Sequence, residues 1–108
     1  MELAWTNFIK RSQCFRFTWI GAGMEGETNA VNDGIVHPCQ KPRQLMEWCC
    51  SFLPAAQTII DPFMGSGTTG VACANLSRKF IGIEIEPKYF DIACERITNA
   101  YRQERMFK

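Results

Sequence analysis

Thr58-Ile59-Ile60-Asp61-Pro62-Phe63-Met64-Gly65-Ser66-Gly67-Thr68-Thr69-Gly70 carries the decision about the fold. A short apolar run ends in an acid, glycines follow, and Val71-Ala72-Cys73-Ala74 continues as the start of a helix. Strand, tight loop and helix start in that order present free backbone N–H groups to a ligand. Gly65, Gly67 and Gly70 keep the G-x-G-x-x-G spacing, in which missing Cβ atoms let a ligand approach the backbone. Val71 stands where a Walker lysine would follow the last glycine, so a triphosphate is disfavoured.

Asp61 narrows the ligand further. Its carboxylate sits four positions before Gly65, at the end of the predicted strand, where a pyrophosphate would meet a like charge. The ammonium and sulfonium of S-adenosylmethionine would instead be attracted. Lys79 to Glu84 reads as the next buried strand, and Glu84 falls seventeen residues after Gly67, near the spacing of an acid that accepts ribose hydroxyl hydrogen bonds. The plain alternative is that Asp61 and Glu84 cap loops or helices. Two strand-terminal acids flanking one glycine loop favour the cofactor reading.

Outward from this unit, the chain of 108 residues allows a single small domain. Its apolar fraction of 46% and charged fraction of 21% fit a globular protein and argue against disorder. A net charge of +1 supplies no large field for a polyanion, so any nucleic-acid contact must rest on local patches. The six cysteines contain no C-x-x-C pair and suit reduced, cytoplasmic thiols. With His37 the one histidine, a metal site has little support. No apolar run reaches the ~20 residues that span a bilayer.

Toward the N-terminus, Glu2–Phe8 and Cys14–Ile20 are aromatic-rich runs around polar Lys10–Gln13, which predicts an antiparallel hairpin over 1–20. Phe15, Phe17 and Trp19 share a face there, as core or as a stacking platform for a nucleobase. Residues 21–36, rich in Gly, Asn and Asp, predict a loop, either a connector or a closing segment. The subdomain that follows, 37–108, opens with His37-Pro38-Cys39-Gln40-Lys41-Pro42.

Pro42 suits the first turn of a helix running to about Leu53, with Leu45, Trp48, Cys49 and Phe52 as its apolar stripe. A short helix is predicted from Thr68 to Asn75, giving a right-handed β-α-β unit. Glu86-Pro87 opens the last helix, whose inner face is Phe90, Ala93, Cys94, Ile97 and Tyr101 and whose end frays beyond Tyr101. The fold class is α/β, a partial Rossmann-like arrangement with an N-terminal hairpin.

In their order, His37–Pro42, Asp61–Thr68 and Gly82-Ile83-Glu84 resemble the C-terminal half of the β-class DNA amino-methyltransferases, over nearly the whole chain. The tryptophan-bearing hairpin resembles that of phage and prophage members. The resemblance implies that Asp61, Phe63, Gly65 and Gly67 line an S-adenosylmethionine pocket, with Pro62 and Ser66 in the same loop. It places Thr68 near the methionine carboxylate, Glu84 on the ribose, Ile85 on the adenine, and His37, Gln40 and Lys41 at the methionine end.

It also implies DNA as partner, methylation at N6 of adenine or N4 of cytosine, and a restriction-modification setting. One departure stands against these matches. The family's Asp/Asn/Ser-Pro-Pro-aromatic motif, which holds the flipped base's amine, is missing, so no catalytic residue is expected in this chain and it should be inactive alone. The motif would lie N-terminal to Met1, which makes the chain look like the tail of a longer gene. Without the intervening strands the sheet would keep an open edge, which a companion chain or a second copy could cover. A truncated remnant, a binding module and a nicotinamide-dinucleotide domain are the rival readings.

Overall fold

A computed structural model of the chain describes residues 4, 6, 7, 11–16, 19, 20, 23, 24 and 40–106. His37, most of the first aromatic run and most of the 21–36 segment lie outside the described residues.

In chain order the elements are β1 (Trp19–Ile20), β2 (Gly23–Met24), α1 (Arg43–Ser51), β3 (Thr58–Asp61), α2 (Thr68–Asn75), β4 (Lys79–Gly82) and α3 (Pro87–Met106). β3 and β4 pair in parallel, Thr58 beside Lys79 through Asp61 beside Gly82. The ladder extends at both ends, with Lys79 N–H donating to Gln57 O at 2.9 Å and Ile83 N–H to Asp61 O at 2.9 Å. The predicted parallel β-α-β unit is therefore present, and the second strand stops at Gly82, two residues short of Glu84.

The N-terminal expectation needs correction. Among the described residues the antiparallel pair is β1 with β2, Trp19 opposite Met24 and Ile20 opposite Gly23, so the strand partner comes from the segment read as loop. Residues 12–16 form no strand. Phe15 instead leans on Trp48 of α1, ring centroids 5.4 Å apart, and Trp48 meets Phe52 edge-on at 4.9 Å. Phe15 is half-buried, and its packing on the helix favours the core reading for this residue over a stacking platform.

α2 is the centre of the packing. Every residue from Thr68 to Ala74 is buried, because α1 and α3 both pack against this helix and it also lies over β4. A helix enclosed on all sides needs no polar stripe, and its small residues allow the close approach. Gly70 lies so near α3 that a Cβ there would run into the Ile97 side chain. The helix ends in a Schellman turn: Arg78 N–H donates to Cys73 O at 2.8 Å and Ser77 N–H to Ala74 O at 3.1 Å. Ser77 takes the left-handed position at φ 57° that glycine usually fills.

Pro42 occupies the cap of α1 in extended geometry, and its carbonyl accepts from Leu45 N–H at 3.1 Å. The face of α3 differs from expectation: Ala93, Arg96 and Ala100 are buried, whereas Cys94 and Phe90 are exposed. The helix also does not fray at Tyr101. Its last turns are tied down by the Tyr101 hydroxyl donating to Arg78 O and the Ser77 hydroxyl donating to Glu104. Such tertiary bonds offset the fraying that a polar, basic end would otherwise show. Among the described residues no helix is long and apolar enough to cross a membrane.

Candidate functional site

The acids and glycines converge at the C-terminal tips of β3 and β4. Asp61 ends its strand and its Oδ1 accepts the Phe63 N–H at 3.0 Å, an Asx turn that bends the chain into the loop. Met64 N–H then donates to Ile83 O at 3.0 Å, which fastens the loop to the continuation of β4. Gly65 follows at φ 55° and Gly67 at φ 84°, left-handed conformations that cost a residue with a Cβ about 1–2 kcal/mol. Gly67 is also the cap residue of α2, and a Cβ on it would lie 2.9 Å from the Cβ of Ala93. Only glycine satisfies both conditions.

Glu84 spans the two tips. Its Oε2 accepts the Gly65 N–H at 2.8 Å and its Oε1 accepts the Glu86 N–H at 2.9 Å. Charge-assisted bonds from backbone amides to a carboxylate are among the stronger hydrogen bonds in proteins. The second acid is thus joined to the glycine loop and does more than cap a helix. Around these polar groups stand two exposed apolar side chains, Phe63 at 88% and Ile85 at 96% exposure. Strand tips with two acids, a left-handed glycine loop and two unburied apolar groups fit a cofactor that combines cationic, hydroxylated and planar parts.

Ser66 and Thr68 point the other way. They are 3% and 6% exposed, and their hydroxyls serve the interior. Ser66 Oγ donates to Gln40 Oε1 at 3.1 Å, which brings Gln40, from the segment ahead of α1, against the loop. Arg96 Nη1 donates to Ser66 O at 2.7 Å, to Ser66 Oγ at 3.1 Å and, more loosely, to Thr68 Oγ1 at 3.4 Å. Arg96 escaped the sequence reading because a charged residue on a long helix is ordinarily solvated. Its position three residues after Ala93 and four before Ala100, on the face that packs inward, was the available signal.

Pro62 is exposed between Asp61 and Phe63, Lys41 is half-buried beside Gln40, and His37 is outside the described residues.

A second cluster joins α1 to α2. Cys50 and Cys73 are buried and share a hydrogen bond. That bond, reinforced by the positive charge of Arg78 and opposed by burial, brings the Cys50 thiol down to about 7. The same contact and burial push Cys73 up, so it stays the protonated partner. Arg78 Nη1 also donates to Cys50 O at 2.8 Å. The described cysteines all carry free thiols, and no group of residues among those described could hold a metal. At the opposite end of the strands an open cleft of about 810 Å³ is lined by Thr58, Arg78, Lys79, Tyr101, Glu104 and Arg105 among others. None of the candidate cofactor residues borders it.

Comparison with known proteins identifies the family. Residues 8–95 match the family model described as DNA methylase. The chain is 47% identical over 62 residues to the Type II methyltransferase M2.DpnII of Streptococcus pneumoniae, covering 56% of this chain and 23% of that protein. It is equally similar, over 63 residues, to the Type II methyltransferase M2.LlaDCHI of Lactococcus lactis subsp. cremoris, again covering 23% of that protein. Among solved structures, the M1.HpyAVI–SAM complex is 53% identical with a TM-score of 0.53, covering 56% of this chain and 32% of that one. A second M1.HpyAVI structure gives 52% identity and a TM-score of 0.51. The chain therefore spans under a quarter of the length of these curated relatives.

Proposed function

The chain belongs to the DNA methylase family, and from that premise we propose that residues 40–106 form the S-adenosylmethionine-binding part of an enzyme that methylates an exocyclic amine of DNA. The observation that carries this reading is the bond from Gly65 N–H to Glu84 Oε2 at 2.8 Å. It makes the acid of one strand tip and the glycine loop of the other a single rigid cradle. Asp61, beside the loop, supplies the negative charge that attracts the methionine ammonium and the sulfonium. Glu84 keeps acceptor capacity for ribose hydroxyls, since each carboxylate oxygen has a second lone pair. Phe63 and Ile85 offer apolar sides to the adenine, and the start of α2 at Thr68 faces the carboxylate end. Gln40 and Lys41, with His37, close the methionine side.

When bound, the cofactor supplies an electrophilic methyl group. The residues of this chain bind and orient it. No Asp/Asn/Ser-Pro-Pro-aromatic run occurs in the 108 residues. The group that holds the flipped amine, whether adenine N6 or cytosine N4, therefore comes from outside them. A further polypeptide segment or a companion chain would supply it and cover the sheet face that Ile60, Ile81 and Ile83 leave exposed.

Calorimetric titration tests the cofactor reading. The chain should bind S-adenosylmethionine, and Asp61→Asn or Glu84→Gln should weaken it about tenfold or more, because a hydrogen bond to a charged group is lost. Binding of a nicotinamide dinucleotide in its place would overturn the reading. The chain by itself should transfer no tritium from labelled cofactor to DNA.

A further inference from the structure

Arg96 is difficult to explain as a stabilising residue. Its side chain is 7% exposed on a helix face otherwise made of Ala93, Ile97 and Ala100, and it lies beneath the N-terminal turn of α2. Helix N-termini carry partial positive charge, so a cation is misplaced there on dipole grounds. Burying a guanidinium is costly, and an apolar side chain of similar length would often serve the fold as well or better. Yet the guanidinium grips one short junction: the Ser66 carbonyl, the Ser66 hydroxyl and the Thr68 hydroxyl. The Ser66 hydroxyl in turn donates a hydrogen bond to Gln40 Oε1, so the grip reaches the segment ahead of α1. Between the two gripped residues stands Gly67, whose left-handed backbone sets the direction of the first amides of α2.

We propose that Arg96 is a positioning residue for the carboxylate end of the cofactor. It fixes the Ser66–Thr68 junction and, through Ser66, the Gln40 amide. It also adds positive potential beneath the helix turn that receives an anionic group. The inference rests on the cofactor reading above and deepens it: Asp61 and Glu84 select the cationic and ribose parts, while Arg96 acts on the carboxylate from behind, without touching it. A charge unfavourable to an empty helix N-terminus becomes favourable once an anion arrives.

The test compares two ligands on the 108-residue chain. S-adenosylmethionine carries the carboxylate, and decarboxylated S-adenosylmethionine keeps the adenine, ribose, sulfonium and ammonium but lacks it. Arg96→Met should weaken S-adenosylmethionine about tenfold and leave the decarboxylated ligand within about twofold. Arg96→Lys keeps the charge without the planar fork and should recover part of the loss. Equal weakening of both ligands would show a merely structural role and overturn the proposal, as would unchanged affinity for both. Should circular dichroism show Arg96→Met unfolded, the ratio of the two affinities in Arg96→Lys decides by the same criterion. A wild-type chain that binds neither ligand overturns the cofactor reading itself. A wild-type chain that binds both, with an unchanged ratio in the variants, overturns only the role of Arg96.

Discussion

The two faces of the small parallel sheet could hardly differ more. On one side lies α2 with α3 packed on it, so close that a Cβ on Gly70 would run into Ile97 of α3 and Phe80 of β4, and one on Gly82 into Met64 of the loop. On the other, Ile60 is 63% exposed and Ile81, its neighbour across the ladder, 51%. Parallel strands are ordinarily covered on both faces. The described residues thus cover one face of these strands and leave the other open. The covered face is also the one that holds the glycine loop in shape, since Ala93 and Arg96 of α3 bear directly on Gly67 and Ser66. Precision is concentrated where two helices converge, and the bare face contributes surface.

Substitutions can break this contrast. Gly67→Ala should be the most damaging, at about 2–4 kcal/mol, since it combines a left-handed backbone with a clash against Ala93. Urea unfolding measures it, and a loss below about 0.5 kcal/mol would mean the loop adjusts freely. Gly70→Ala should cost about 1 kcal/mol, the overpacking against Ile97 outweighing the gain in helix propensity. Adding Ile97→Ala, which removes both Ile97 atoms in the way, should recover part of that cost in a double-mutant cycle, the Phe80 ring at 2.8 Å keeping the rest.

A smaller effect should come from the thiol pair beneath the helices. Cys50 has a folded value of about 7 against 9.0 unfolded, so the fold favours its thiolate. That contribution is complete above pH 9 and is lost as pH falls through 7. Cys73 is raised, so its contribution is present below pH 9 and lost above it. The urea midpoint should therefore rise from about pH 6 to about pH 9 and then level or fall, and Cys50→Ala should flatten the rise.

The smallest change belongs to the bare face. Ile60→Thr and Ile81→Thr should alter stability by no more than about 0.5 kcal/mol while reducing self-association in light scattering. A cost as large as that of Gly67→Ala would mean the face is covered after all.

Much of the site could be read from residue types. Asp61, the glycine spacing and Glu84 lie within one β-α-β unit, and their placement follows from local rules of strand, turn and helix. The bounds of α2 also came out as expected, from Thr68 to Asn75. Two misreadings occurred where distant parts of the chain compete: Phe15 left a predicted strand for Trp48, and α3 ran past Tyr101 to Met106. A third was local, β1 pairing with β2 from the segment read as loop.

Sequence by itself determined that two acids and a glycine loop meet at neighbouring strand tips, because charge at a strand tip and freedom at a glycine are properties of single residues and their spacing. Tertiary structure alone decided that Ser66 faces Arg96 and Gln40, and that Arg96 is buried on α3. Those contacts join residues 26 and 30 positions apart in the chain. Which of a helix's charged residues is drawn inward depends on what packs against that helix, and spacing along one segment does not contain that information.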